Sequence, residues 1–281
     1  MNDFPSSICA LCFRDYIIAH QILIVNTFLS KNNNIFLFFD YLLFLNKKAG
    51  IYMNNFTVKP IAHIENDFIE KFGIPRQSGL ADGIISKIVF EEEYRVREAF
   101  RGIEEYSHLW LLWIFSQAIR EKWSPTVRPP RLGGNTRMGV FATRSPFRPN
   151  SIGMSSVRLI KADINSPQGP ALYVSGADLL NGTPIIDIKP YLAYTDSHPE
   201  ASDGFALSSR EAVVKVNFPD HLLKLIPAEK RPGLISVLEQ DPRPQYKNDP
   251  EHIYTMHFGN FDIGFNYSKN ELNVINIKTF T

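Results

Sequence analysis

From Met53 to about Tyr194, short apolar runs are punctuated by Gly and Pro, a pattern of short strands rather than alternating β-α units. Phe56–Ile61 is strand-like, and Ile84–Phe90 reads as a strand entered through the Ala81-Asp82-Gly83 turn. Leu109–Phe115 is wholly apolar. Its length and its Trp110, Trp113 and Phe115 fit a strand buried on both faces, and periodicity leaves a buried helix open as the alternative. Further strands are predicted at Met138–Thr143, Ser156–Ile164, Ala171–Ala177 and Pro184–Ile188. One helix is predicted over Glu91–Ile103, where Tyr94, Val96 or Arg97, Phe100 and Ile103 recur roughly three to four apart behind an acidic Glu91-Glu92-Glu93 start. So many short strands in so little chain predict a small barrel or sandwich.

A polar stretch from Thr195 to Asp203 marks a boundary. Beyond it, Glu211–Phe218 reads as a strand, Asp220–Ile226 and Pro232–Gln240 as helices, and His252–Lys278 as a β-meander turning at Gly259-Asn260 and Lys269-Asn270. The expectation is a mainly β protein: a small β-barrel over residues 53–200, then a smaller α+β domain over 201–281. Residues 1–52 differ in kind, with ten Phe and Tyr and six Asn but one Pro and one Gly, and no clean period. They read as an appended extension upstream of a natural start at Met53, the alternative being a membrane-surface or partner-binding hairpin.

The 281 residues, 44% of them hydrophobic, suffice for a real core and exclude whole-chain disorder. Net charge of +1 names no partner. The only cysteines, Cys9 and Cys12, exclude a secreted disulfide framework and fit a reducing cytoplasm. No run of about eighteen apolar residues predicts a membrane span. His108, His198, His221, His252 and His257 lack metal-ligand spacing, so no metal is expected. Phosphate-cradling glycine motifs and a serine-hydrolase elbow are also missing.

Charge does concentrate in one place. Between Arg120 and Arg158 there are seven Arg and one Lys against the single acid Glu121, spaced by Ser124-Pro125, Arg128-Pro129-Pro130-Arg131-Leu132-Gly133-Gly134 and Arg148-Pro149-Asn150. Guanidiniums on such constrained loops suit bidentate recognition of phosphate or carboxylate, and stacking on bases. A solvated rim around a barrel mouth is the plainer alternative.

Gly139-Val140-Phe141-Ala142-Thr143-Arg144-Ser145-Pro146-Phe147-Arg148-Pro149-Asn150 resembles the signature of the TsaA-like family, whose bacterial branch includes the tRNA methyltransferase TrmO. Gly73-Ile74-Pro75-Arg76-Gln77, Ser107-His108-Leu109-Trp110, Gly182-Thr183-Pro184-Ile185-Ile186-Asp187-Ile188-Lys189-Pro190-Tyr191 and Asp241-Pro242-Arg243-Pro244 extend the resemblance over everything after Met53. It implies an S-adenosylmethionine-dependent enzyme on a TsaA-like β-barrel, acting as a homodimer on the exocyclic amine of threonylcarbamoyladenosine beside the anticodon. By the same resemblance Pro75, Arg76, Gln77, Ser116, Gln117, Arg144, Met154 and Ser175-Gly176-Ala177-Asp178 would hold the cofactor. Ser116 stands where the family pattern has His, and Asn181 where it has Asp. Asp187 and Tyr191 are candidate catalytic groups, although a carboxylate there equally suits an ion pair with Lys189. Arg128, Arg131, Arg137 and Arg148, with Asn150 and Lys189, are candidates for the anticodon stem-loop. Two alternatives stay open: a non-catalytic RNA-binding barrel, and a methyltransferase acting on a small anionic metabolite.

Overall fold

The structure, a computed structural model, describes residues 57–129, 132, 135–208, 213–243, 249 and 251–280. The readings of the extension, of Met53 and of Cys9-x-x-Cys12 lie outside the described residues.

The first half runs through β1 (Ala62–Glu65), β2 (Ile85–Phe90), β3 (His108–Ile114), β4 (Thr126–Val127), β5 (Met138–Gly139), β6 (Ile152–Asp163), β7 (Ala171–Ser175) and β8 (Pro184–Pro190). Six of these close a barrel in the order β1-β2-β7-β6-β3-β8, while β4 and β5 stand apart as a two-stranded ribbon. Every barrel pairing is antiparallel. Closure leaves no unpaired strand edge. On β3 the side chains of Leu109, Leu111 and Trp113 point into the core and are buried, while His108, Trp110, Leu112 and Ile114 face outward and are half-buried. The apolar run is therefore a strand, but one fully buried on a single face.

The helix expected over Glu91–Ile103 does not form. Three 3-10 turns replace it, Glu92–Tyr94, Arg97–Phe100 and Ile103–Glu105, broken where Val96 is extended (φ −93°, ψ 116°) and where Gly102 takes φ 84°. Packing overrides local periodicity here. Phe100 turns inward to meet Phe90 edge-on, ring centroids 4.6 Å apart, and Arg95 donates from Nε to the Phe90 carbonyl at 2.8 Å. The strand expected over Met138–Thr143 stops at Gly139 and gives way to a 3-10 turn.

In the second half β9 (Lys215–Asn217), β10 (Tyr254–Phe258), β11 (Phe261–Ser268) and β12 (Glu271–Thr279) form a sheet in the order β10-β11-β12-β9, with β9 parallel to β12. Lys269 and Asn270 both take positive φ, 53° and 61°, as a tight hairpin turn of matching twist requires. The helix Arg231–Glu239 buries Leu234 and Leu238 against Met256, Phe258, Ile263 and Phe265. The same core takes in Phe68, Ala81 and Ile84 from the connection between β1 and β2. Packing thus crosses the sequence boundary near residue 200, and Val58–Thr281 forms one compact unit.

Candidate functional site

Antiparallel register decides which loops meet. The C-terminal end of β3 lies beside the N-terminal end of β6, through Ile114 and Ile152, and that of β7 beside β2, through Ser175 and Ile85. One barrel rim therefore gathers the segment before β2, the exit of β3, the entry to β6 and the exit of β7. A cavity of about 570 Å³ opens there, walled by Ile74, Trp113, Phe115 and Leu180 and edged by charged and amide side chains. That size is in the range of small-molecule sites.

Its floor carries a hydrogen-bond relay. Trp113 donates from Nε1 to Ser155 Oγ at 2.9 Å, and Ser155 donates to Asp178 Oδ1 at 2.5 Å. An indole N–H can only donate, so the single hydroxyl proton of Ser155 is committed to Asp178. Burial pushes the Asp178 carboxyl above the usual range; the Ser155 hydroxyl, its own backbone amide, Arg144 and the Ser78 amide offset only part of that. The relay depends on Gly153, because a Cβ there would stand 2.3 Å from the Trp113 ring. The loop that carries Gln77 is stitched to the loop that carries Asp178 by Gly79 N–H donating to the Gly176 carbonyl at 2.9 Å, with Gly176 at φ 84°.

Cations dominate the rim. Lys71, Arg76, Arg144 and Arg148 line the cavity against a single carboxylate, Asp178. Arg144 donates to Gln77 Oε1 at 2.5 Å, and Arg148 to the Thr143 carbonyl at 2.9 Å. Arg76 reaches the Arg243 carbonyl at 3.5 Å, which ties the rim to the second sheet. Arg243 is itself clamped by Asp241 through two contacts of 2.7 Å and lies over the Tyr267 ring.

Of the residues expected from the sequence, the cavity brings together Pro75, Arg76, Gln77, Ser116, Gln117, Arg144, Arg148, Met154 and Asp178. Others are elsewhere. Ser175 and Ala177 are buried within the barrel wall, and Gly176 serves as the turn between them. Asp187 faces outward opposite Leu112 and pairs with Lys189 at 2.9 Å, which is the structural alternative for that carboxylate. Tyr191 packs on the rings of His108 and Trp110. Arg128, Arg137 and Asn150 are exposed and do not line the cavity, and Arg131 lies outside the described residues. Asn181 accepts the Asn66 amide at 3.0 Å, so the departure at that position bears on a loop tie and not on the cavity wall. Sequence reasoning missed Ser155, Trp113, Leu180 and Thr183. Nothing in a run of apolar and small residues distinguishes a strand residue on the rim from one in mid-barrel. Among the described residues no cluster of His, Cys, Asp or Glu could hold a metal ion.

Comparison with known proteins adds an independent line. The family model of the tRNA-methyltransferase O N-terminal domain matches residues 63–197, and that of the TrmO C-terminal domain matches 212–280. A tRNA (adenine(37)-N6)-methyltransferase of Escherichia coli (strain K12) is 45% identical over 205 residues, covering 71% of this chain and 87% of that one. An inferred S-adenosylmethionine-dependent methyltransferase of Pseudomonas aeruginosa, RcsF, is 39% identical over 226 residues, covering 77% and 94%. Among solved structures, TrmO from P. aeruginosa superposes with a TM-score of 0.65 at 32% identity, covering 81% of this chain and 99% of that one.

Proposed function

This chain belongs to the tRNA-methyltransferase O family, and from that premise we propose how its rim cavity works. The protein is an S-adenosylmethionine-dependent methyltransferase acting on the N6 amine of an adenine beside the tRNA anticodon. One observation carries the reading: the adjacent Arg76 and Gln77 share one cavity with Arg144 and Asp178, which come from two distant stretches of the chain.

The residues present fit the cofactor. Apolar walls from Ile74, Trp113, Phe115 and Leu180 suit an adenine, and Asp178, fixed by the Ser155 hydroxyl and half-buried at the lining, offers a carboxylate acceptor to a hydroxyl or ammonium. Gln77 and Arg144 add amide and guanidinium donors for a carboxylate head group. When bound, S-adenosylmethionine supplies a methyl group on a positively charged sulfur, an electrophile that needs no metal.

The work left to the chain is placement. The acceptor nitrogen of a threonylcarbamoyladenosine is conjugated to a purine and a carbonyl, so its lone pair is weak. With Asp187 engaged by Lys189 and Tyr191 packed on Trp110, neither expected catalytic group lines the cavity of this protomer. We therefore assign the acceleration chiefly to alignment, which is worth several powers of ten when reacting atoms are held in line. The fixed relay to Asp178 and the Arg144–Gln77 contact supply that alignment. The surplus of rim cations complements the threonyl carboxylate and the anticodon-loop phosphates.

The working assembly in this reading is a cytoplasmic homodimer, in which the partner would cover exposed Ile160 on the outer face of β6 and close over the cavity edge formed by Ile152 and Met154. The second sheet serves tRNA docking or dimer formation, and the Arg76 guanidinium, donating to the carbonyl of Arg243 where that residue lies over Tyr267, links it to the rim. Incubating tRNA with the protein and labelled S-adenosylmethionine, then analysing nucleosides by mass spectrometry, tests the reading. A labelled methyl on N6-threonylcarbamoyladenosine is expected. S-adenosylmethionine binding without any labelled nucleoside, or RNA binding without cofactor binding, would refute it.

A further inference from the structure

Next to the cavity, and sharing Ala118, Phe147 and Arg148 with it, is a smaller hollow of about 120 Å³ bordered by Arg120, Lys122 and Trp123. The ribbon explains what stands over it. Because β4 and β5 are antiparallel, with Thr126 opposite Gly139, the residues just before β4 and just after β5 emerge at one end. Val140 N–H donates to the Pro125 carbonyl at 2.9 Å and locks that end. Trp123 and Phe141 are the side chains presented there. Their ring centroids are 6.2 Å apart at an interplanar angle of 31°, and they are 51% and 73% exposed.

Two large aromatics held at a fixed end and left open to water form an apolar surface of two neighbouring rings, inclined to each other by 31°. Phe147, the third aromatic in the neighbourhood, already has the Arg120 guanidinium 3.6 Å above its ring. The charges bordering the hollow, Arg120, Lys122 and Arg148 against Glu121, favour a polyanion. Flat apolar rings ringed by cations match an unstacked nucleobase flanked by phosphates. Resting on the function proposed above, we infer that Trp123 and Phe141 form a stacking platform for a nucleobase adjacent to the methylated adenine. The base is read by its flat face, and Arg120 and Arg148 hold the backbone on either side. The target enters the large cavity while its neighbour is parked on the platform, which sets the register of the strand.

The experiment measures affinity for a synthetic anticodon stem-loop RNA that carries threonylcarbamoyladenosine beside the anticodon, together with methyl transfer to it. Trp123→Ala should weaken RNA binding roughly 5- to 150-fold, and Phe141→Ala should weaken it in the same direction. Trp123→Phe, which keeps a flat ring, should restore most of the affinity. S-adenosylmethionine affinity and melting temperature should stay at wild-type values in all three. A second arm removes the nucleobase on one side or the other of the target. On the correct side, the abasic RNA should bind wild type as poorly as intact RNA binds Trp123→Ala, with no further loss on combining the two. Wild-type affinity in Trp123→Ala, or penalties that simply add, would overturn the platform. Wild type that binds the RNA with the full aromatic dependence yet transfers no methyl would instead remove the function proposed above and leave the platform standing.

Discussion

Ser155→Ala probes the relay under the cavity. The residue is 1% exposed, and its hydroxyl both receives the Trp113 indole N–H at 2.9 Å and donates to Asp178 at 2.5 Å. Removing it leaves a buried N–H unpaired, which costs about 1–3 kcal/mol. For a unit of this size that is a fall in melting temperature of about 2–12 °C. The second effect is on Asp178. Burial already raises its pKa, and the Ser155 hydroxyl is the strongest influence pulling it back down. Without that bond the pKa rises further, so S-adenosylmethionine binding that relies on the ionised carboxylate weakens at a higher pH than in wild type. The sign on stability follows from the same shift. A carboxyl raised in the fold binds protons more readily there than in the unfolded chain, so its contribution to stability falls as pH rises through the folded pKa. The Ser155→Ala deficit should therefore shrink on acidification, down to the part owed to Trp113. Scanning fluorimetry and cofactor titration across pH 5–9 read both effects. Ser86→Ala is the control, because Ser86 is equally buried but its hydroxyl has no partner among the described residues, and its loss should be neutral or stabilising. Unchanged melting and a superimposable pH profile in Ser155→Ala would refute the relay.

Arg144→Ala removes the guanidinium held on Gln77 and should raise the Kd for S-adenosylmethionine roughly 10- to 100-fold, measured by calorimetry, while melting stays within about 1 °C of wild type because the residue is exposed. Gly153→Ala forces a methyl against the Trp113 ring and should cost about 1–3 kcal/mol by denaturant titration, with cofactor affinity falling in step. Asp241→Asn keeps a residue tolerant of the positive φ of 46° but uncouples the buried Arg243, so unfolding should be easier by about 3–5 kcal/mol; a loss under 1 kcal/mol would mean that the pair is incidental.

Local pattern settled a good part of this molecule. Strands at Ile85–Phe90, Ala171–Ser175 and Pro184–Pro190, the helix Arg231–Glu239 and the C-terminal meander all sit where apolar spacing and turn residues put them, because each is specified by neighbours within a few residues. The Thr143–Arg148 loop and Pro75-Arg76-Gln77 were legible for a different reason: backbone-constrained loops bearing specific donors leave a recognisable string of letters. Periodicity misled at Glu91–Ile103, where a helical rhythm was overruled by the demand to seat Phe100 on Phe90. Asp187 meets Lys189 for a kindred reason, since a residue two places from a lysine on a strand finds that lysine on the same face.

What no window of sequence contains is the register of the closed barrel. Pairing Ile114 with Ile152 and Ser175 with Ile85 is a contact over long separations, settled only when the sheet closes on itself. That closure places Ser155 beneath Trp113, turns Asp178 toward Arg144, and leaves Ser175 and Ala177 inside the wall. The chain's letters named the donors and the class of chemistry; closure of the barrel decided which of them share a cavity, because a strand's inward and outward faces have no meaning until a partner strand is beside it.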